Sequence, residues 1–361
     1  MAPAPESQRM SRRLDRKRAI LVQRLSIAVA ALWILYVLMA LFNASGSTSS
    51  PRTGNPVLTN FSAIKGEIAR IRVTQADGAY TLVKGDEGWV LAESGNYPVI
   101  QDQIDTLLAG LETLSWGERR TSTPERMSFL SLGDPREDGN GTLVEVFASD
   151  GAKTAEMITG RRNQYTYARM PDEMIAFRVR GELPPMRTRE AWLDLDIVDI
   201  EPSAVSAVRL TDGSGQSVYL TREPGSDARS FRPAPPYQDY VVTNPLAVST
   251  TALAVTRLAP LDVKPVEELT GRAVSRHISQ TFDGLEIDLR AWQQDDGFWV
   301  TFRAIEAGEG ARRARTINDR AEPYAFRLTE YDWQEFAPDI SRLVEPAAEE
   351  TAPLPPSDFQ P

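Results

Sequence analysis

The chain has 361 residues, of which 42 % are hydrophobic and 25 % charged, enough for two ordinary domains and a tail. It has no cysteine, which excludes disulfides, thiolate catalysis and cysteine-ligated zinc, and its single histidine, His277, excludes a multi-histidine metal centre. The net charge of −10 is unevenly distributed, because Arg9, Arg12, Arg13, Arg16, Lys17, Arg18 and Arg24 outweigh Glu6 and Asp15 in residues 1–24 and leave the remainder strongly acidic.

Directly after this basic tail (1–24) comes LSIAVAALWILYVLMALF (25–42), an uncharged run. At ~1.5 Å per helical residue it would span roughly 27 Å, close to a bilayer's hydrocarbon thickness. The basic side precedes it, so the expected topology is a single-pass bacterial inner-membrane protein with a cytoplasmic N-terminus and a periplasmic body. A cleaved signal peptide is the competing reading; the run is longer and bulkier than an ordinary h-region, which favours an uncleaved anchor. Residues 43–66 begin with a Ser-, Gly- and Pro-rich stretch and are expected to form a flexible linker.

From Glu67 the pattern becomes regular. IARIRVTQ (68–75) alternates as a half-buried strand does. The polar run Gly85–Gly88 turns a hairpin, and Trp89 opens the return strand. Ile100, Ile104, Leu107, Leu108, Leu111 and Leu114 recur at helical spacing over 98–114. Thr123 and Pro124 suit the N-cap and first position of a short helix. Strands are expected at 141–149, 155–160, 164–170 and 174–180, with 188–201 closing the unit.

The same order then recurs. VSAVRLTD (205–212) answers the first strand, and 215–223 with 229–234 answers the hairpin. A helix opened by Asn244 and Pro245 answers the long helix, and KPVEELTG (264–271) answers the short one. Residues 284–304 form a hairpin turned at Asp296–Gly297, PYAFRLTE (323–330) matches QYTYARM (164–170), and 331–344 closes the second unit. The reading is an internal duplication, with repeats at 67–202 and 203–344, each with its own core, and a disordered acidic, Pro-rich tail at 345–361. The expected class is α+β: an N-terminal transmembrane helix followed by two tandem β-rich α+β units.

The features DGAYTLVKGDEGWVLA, IDTLLAGLETL, TPERMSFLSLGDP and YTYARM followed by MIAFRVR resemble a bacterial envelope family, catalogued as a domain of unknown function, found beside gliding-motility-type ABC transporter components. The resemblance covers about residues 60–345. It implies an accessory subunit of an ABC-type system, with the inner membrane and transporter subunits as partners, and supplies no catalytic residue.

The residues themselves point the same way. Asp194, Asp196, Asp199 and Glu201 lack the glycine and spacing of a calcium loop and read as a solvated face. His277 has Ser275 and Ser279 nearby but no nucleophile elbow, so a structural histidine is the simpler reading. GEGARRAR (308–315) lacks the Lys-Ser/Thr ending of a phosphate loop and reads as a loop between strands. Trp89, Trp116, Trp192, Trp292, Trp299 and Trp333 adjoin apolar segments, where core packing is the default and a sugar platform the alternative. An acidic body without a basic, aromatic-interleaved sheet argues against nucleic acid. No catalytic, metal-binding or cofactor-binding residue is assigned and no cofactor is expected; the function read from the sequence is non-catalytic binding or scaffolding, with an independent glycan- or lipid-binding module as the alternative and an enzyme as the least favoured.

Overall fold

The computed structural model describes residues 52–227, 229–305 and 311–347. The basic tail, the apolar run 25–42 and residues 348–361 lie outside them. Contacts divide the chain at Gly54/Asn55, and all that follows concerns the unit from Asn55 onward.

Short alternating segments with turn residues between them build antiparallel strands, because each strand can bury only every second side chain. After a four-residue helix α1 (Phe61–Ile64) the first half runs β1 (Ile68–Gln75), β2 (Gly78–Lys84), β3 (Trp89–Leu91), β4 (Tyr97–Pro98), α2 (Gln101–Thr113), β5 (Ser115–Thr121), α3 (Pro124–Phe129), β6 (Thr142–Ala148), β7 (Lys153–Arg162), β8 (Tyr165–Arg169) and β9 (Ala176–Arg180). The second runs β10 (Val205–Thr211), β11 (Ser217–Thr221), β12 (Arg232–Pro233), β13 (Tyr240–Val242), α4 (Pro245–Ala252), β14 (Asp262–Pro265), β15 (Ser275–Thr281), β16 (Glu286–Gln294), β17 (Gly297–Ile305), α5 (Ala311–Ala321), β18 (Tyr324–Leu328), α6 (Glu330–Phe336) and β19 (Val344–Pro346).

The strands form two large antiparallel sheets, ordered β4-β3-β2-β1-β6-β7-β8-β9-β5 and β12-β11-β10-β15-β16-β17-β18-β14, with β13 and β19 paired separately. Strand for strand, the second order is the first without β4. The registers agree too. Val73 pairs with Val144 and Val144 with Met157; Leu210 pairs with His277 and His277 with Leu289. Even the irregularity in the opening strand recurs, between Ile68 and Arg70 and between Val205 and Ala207.

Several expectations need correction. The class is mostly β rather than α+β, since two large sheets carry the fold and the helices between strands are short. The anchor at 25–42 lies outside the described residues, and among those residues no helix is long and apolar enough to cross a membrane. The longest, α2, has 13 residues and one polar face, about 20 Å of helix where ~30 Å is needed. The single-pass inner-membrane assignment is corrected to that finding: no described helix carries it.

The linker ends early, because Val57, Leu58 and Phe61 are buried, Val57 N–H donates to the Leu114 carbonyl at 2.8 Å and Trp116 N–H to that of Asn55 at 2.9 Å. Likewise Val344–Pro346 is a strand rather than the start of a free tail. QYTYARM corresponds to β17, not to 323–330: the counterpart of 323–330 is β9, which shares Ala-Phe-Arg with β18 (Ala176–Arg178 and Ala325–Arg327). Finally the two cores are one. A single apolar cluster runs from Val57 to Val344 and includes both Leu107 and Leu253. Tyr97 joins the halves, its ring edge-on to Tyr324 at 4.9 Å and to Phe326 at 5.7 Å. A small second cluster, Met127, Leu132, Leu143, Ile158, Tyr167 and Ala176, lies on the opposite face of the first sheet under α3.

Candidate functional site

The residues weighed from sequence scatter. His277 is buried: its Nε2 lies 3.0 Å from Ser279 Oγ, its ring 5.3 Å from that of Phe336, and its Nδ1 has no partner among the described residues. Burial pushes its pKa down to about 3, so the ring is neutral near pH 7. Ser275 Oγ donates to the Phe336 carbonyl at 3.0 Å, which commits it to packing.

The acidic run is partly neutralised by α5. Arg320 meets the Asp194 carboxylate at 2.9 Å and Arg313 donates to the Asp199 carbonyl. Arg312–Arg315 thus belong to a helix, not the expected loop; residues 306–310 lie outside the described set. No group of three His, Asp or Glu able to hold a metal occurs among the described residues. Trp192 is fully buried, donating from Nε1 to Tyr80 Oη at 2.8 Å. Trp299 is buried beneath Lys264, whose Nζ lies 3.9 Å from the ring centre. Phe298 stacks on Trp333 at 4.9 Å. None of these indoles forms an open platform.

What sequence reading missed is a cleft at one end of the first sheet. Side chains alternate across β7, so Met157, Thr159 and Arg161 share one face while Ile158 and Gly160 share the other. Thr142 pairs with Thr159 across β6 and β7, and Arg161 pairs with Thr166 across β7 and β8. These four therefore line the continuation of the core face beyond the last apolar layer.

The wall opposite is the segment Leu183–Arg187, held down where Tyr80 Oη donates to the Met186 carbonyl at 2.9 Å and Gln75 Nε2 donates to the same oxygen. On the opposite face Gly160 lets the loop after α3 come against the strand: a Cβ there would sit 2.1 Å from the Ser131 carbonyl oxygen. The cleft encloses about 760 Å³, within the range of ligand sites. A second cavity of about 340 Å³ shares Arg161, Thr166 and Leu183 with it as lining and is also lined by Tyr165, Arg178 and Arg180.

Its electrostatics run against those of the molecule. Arg161, Arg180 and Arg187 are exposed, and among the described residues no salt bridge or side-chain hydrogen bond engages them; Arg178 lies over the Tyr165 ring at 3.7 Å. Asp77 and Glu182 are the carboxylates on the rim. Guanidinium groups left unpaired in a protein of net charge −10 produce a local positive field where an anion is favoured. The sequence signal was faint. Arg161, Arg178, Arg180 and Arg187 stand among acids and apolar residues, and only strand pairing brings Thr142, Thr159 and Thr166 to them.

The fold and cleft define a doubled antiparallel β-sheet protein with a cationic cleft in one of its two sheets. Residues 89–272, just over half of the chain, match the model of a domain of unknown function, DUF4340, and the chain belongs to that family. No curated protein is similar enough to match.

Proposed function

We propose that the chain is a non-catalytic binding and scaffolding protein that serves as an accessory subunit of an ABC-type transport system. The observation that carries the binding part is the cleft itself: hydroxyls, backbone and unpaired guanidiniums converge on a space of ligand size, groups that hold an anion rather than cleave one. The continuous core supports scaffolding, since both sheets share one interior. The transporter part rests on the resemblance of the hairpin, the long helix and YTYARM with MIAFRVR to proteins found beside such components.

Affinity-tagged full-length chain isolated from its native cells tests the reading. Transporter subunits retained in constant ratio through a second purification step support it. Chain recovered without them, but carrying bound glycan, would favour an independent glycan-binding module, for which the threonine row and Tyr165 are the relevant groups.

A further inference from the structure

The doubled fold contains its own control for the cleft. The matching registers place Thr142 opposite in role to Ser275, Thr159 to Ala291, Arg161 to Gln293 and Thr166 to Phe298. In the second sheet this position is covered. The chain leaving β18 turns at once into α6, capped by Thr329 Oγ1, which accepts from Asp332 N–H at 3.0 Å. Trp333 then stacks on Phe298 at an interplanar angle of 23°, and Phe336 lies over His277. The covering helix is acidic, with Glu330, Asp332 and Glu335.

In the first sheet the chain leaving β9 reads Gly181-Glu182-Leu183-Pro184-Pro185-Met186. Consecutive prolines disfavour a helix there, since neither offers an N–H and the second disfavours α conformation in the first. The segment forms no helix along the rim, and the place taken by α6 in the second half stays open.

We propose that this open place is a docking groove for an acidic segment of a partner protein, which would lie where α6 lies in the other half. Three observations support that occupant. The intramolecular occupant of the equivalent position is an acidic peptide segment. The lining has changed in the complementary direction, from Gln293 and Phe298 to Arg161 and Thr166, with Arg187 added on the wall. A second cavity sharing Arg161, Thr166 and Leu183 as lining adds Arg178 and Arg180 beside the groove, so further cations lie within reach of a chain of several carboxylates. The inference deepens the scaffolding reading by naming the chemistry of the partner.

Full-length protein titrated into fluorescein-labelled hexaglutamate, followed by anisotropy, tests it. The expected result is saturable binding that weakens roughly tenfold between about 50 and 300 mM salt. Hexalysine should not bind there. The double variant Arg161→Glu/Arg187→Glu should lose binding at least ~tenfold, with an unchanged circular dichroism spectrum and melting temperature. The double variant Arg229→Glu/Arg272→Glu, with the same change in net charge, should bind as the parent does. Residues 1–24 are also basic, so the loss in Arg161→Glu/Arg187→Glu, which leaves them unchanged, is what assigns the binding to the groove.

Absent binding, or binding that survives Arg161→Glu/Arg187→Glu, would overturn the proposal. So would citrate or inorganic phosphate displacing the peptide at concentrations comparable to its own, which would mark a small-anion site. Any of these results, found while transporter subunits still co-purify, overturns the groove assignment and leaves the accessory-subunit reading standing.

Discussion

His277 occupies the place that Val144 holds in the first sheet, and Ser279 the place of Val146. A buried polar pair thus stands where an apolar pair suffices, at the cost of an unpartnered Nδ1. Because the folded-state pKa, about 3, lies below the ordinary 6.5, the unfolded chain binds the additional proton between those values. Stability is fully present above pH 6.5 and falls as the pH drops toward 3, by at most roughly 1.4 kcal/mol per pH unit from this group. Urea denaturation at several pH values should show His277→Val losing less stability on acidification than the parent; an identical slope would refute the assignment.

Arg169 is a second residue that sequence did not single out. Its guanidinium is buried and donates to the carbonyls of Leu132 at 2.8 Å and Pro171 at 2.7 Å, tying the loop after α3 to the loop after β8. Arg169→Met should cost roughly 3 kcal/mol or more in the same assay, since it strands buried carbonyls; Arg169→Lys should recover little of that, because an ammonium cannot reach both loops in one plane.

At the scale of elements, α2 and α4 show how alike sequences reach different structures. In α2 the residues Ile104, Leu107, Leu108 and Leu111 form one buried stripe, and the helix runs three and a half turns. Its counterpart, with Asn244 Oδ1 accepting from Ala247 N–H at 3.1 Å, ends after Ala252 and tightens into a 3₁₀ turn at Ala254–Arg257. Runs of Ser, Thr and Val give it no comparable stripe, so packing ends it early. Leu107→Ala should cost ~2–5 kcal/mol by thermal or chemical denaturation, the range for a fully buried leucine that leaves a cavity.

Where the halves meet, Gly95 has φ +67° and no room for a side chain, a Cβ falling 2.4 Å from Pro265 Cγ. Tyr324 Oη donates to its carbonyl at 3.2 Å. Gly95→Ala should therefore destabilise the molecule by more than the ~1 kcal/mol of left-handed strain alone. A loss below that value would show that β14 yields easily and the junction is loose.

For the whole molecule, one continuous core predicts one unfolding event. The cluster spanning Val57 to Val344 and the Arg189–Asp262 ion pair, 2.6 Å across the junction, leave neither sheet with a complete interior of its own. Calorimetry of the full chain should give a single transition whose calorimetric and van't Hoff enthalpies agree. Two resolved transitions, or a first half that melts independently of Gly95→Ala, would indicate two cores.

Much of this architecture was legible in the residues one segment at a time. Alternation in Ile68–Gln75, the Gly85–Gly88 turn, the stripe of α2 and the Asn244-Pro245 helix start are local consequences of side-chain period and backbone preference, and they appear where those rules place them. The order of elements, and hence the doubling of the sheet, follows from reading such signals twice along one chain. Pairing is not local. That β9 rather than β8 answers β18, that Val57 and Phe61 belong to the core rather than to a tether, and that both halves share one interior depend on which strand edges and apolar faces meet. Those are contacts between residues far apart in sequence, chosen by the burial they achieve together. The cleft is the extreme case. Thr142, Thr159, Arg161 and Thr166 become one surface only through two strand registers, and it stands open only because Pro184 and Pro185 keep the chain from forming the helix that closes the same place in the second sheet.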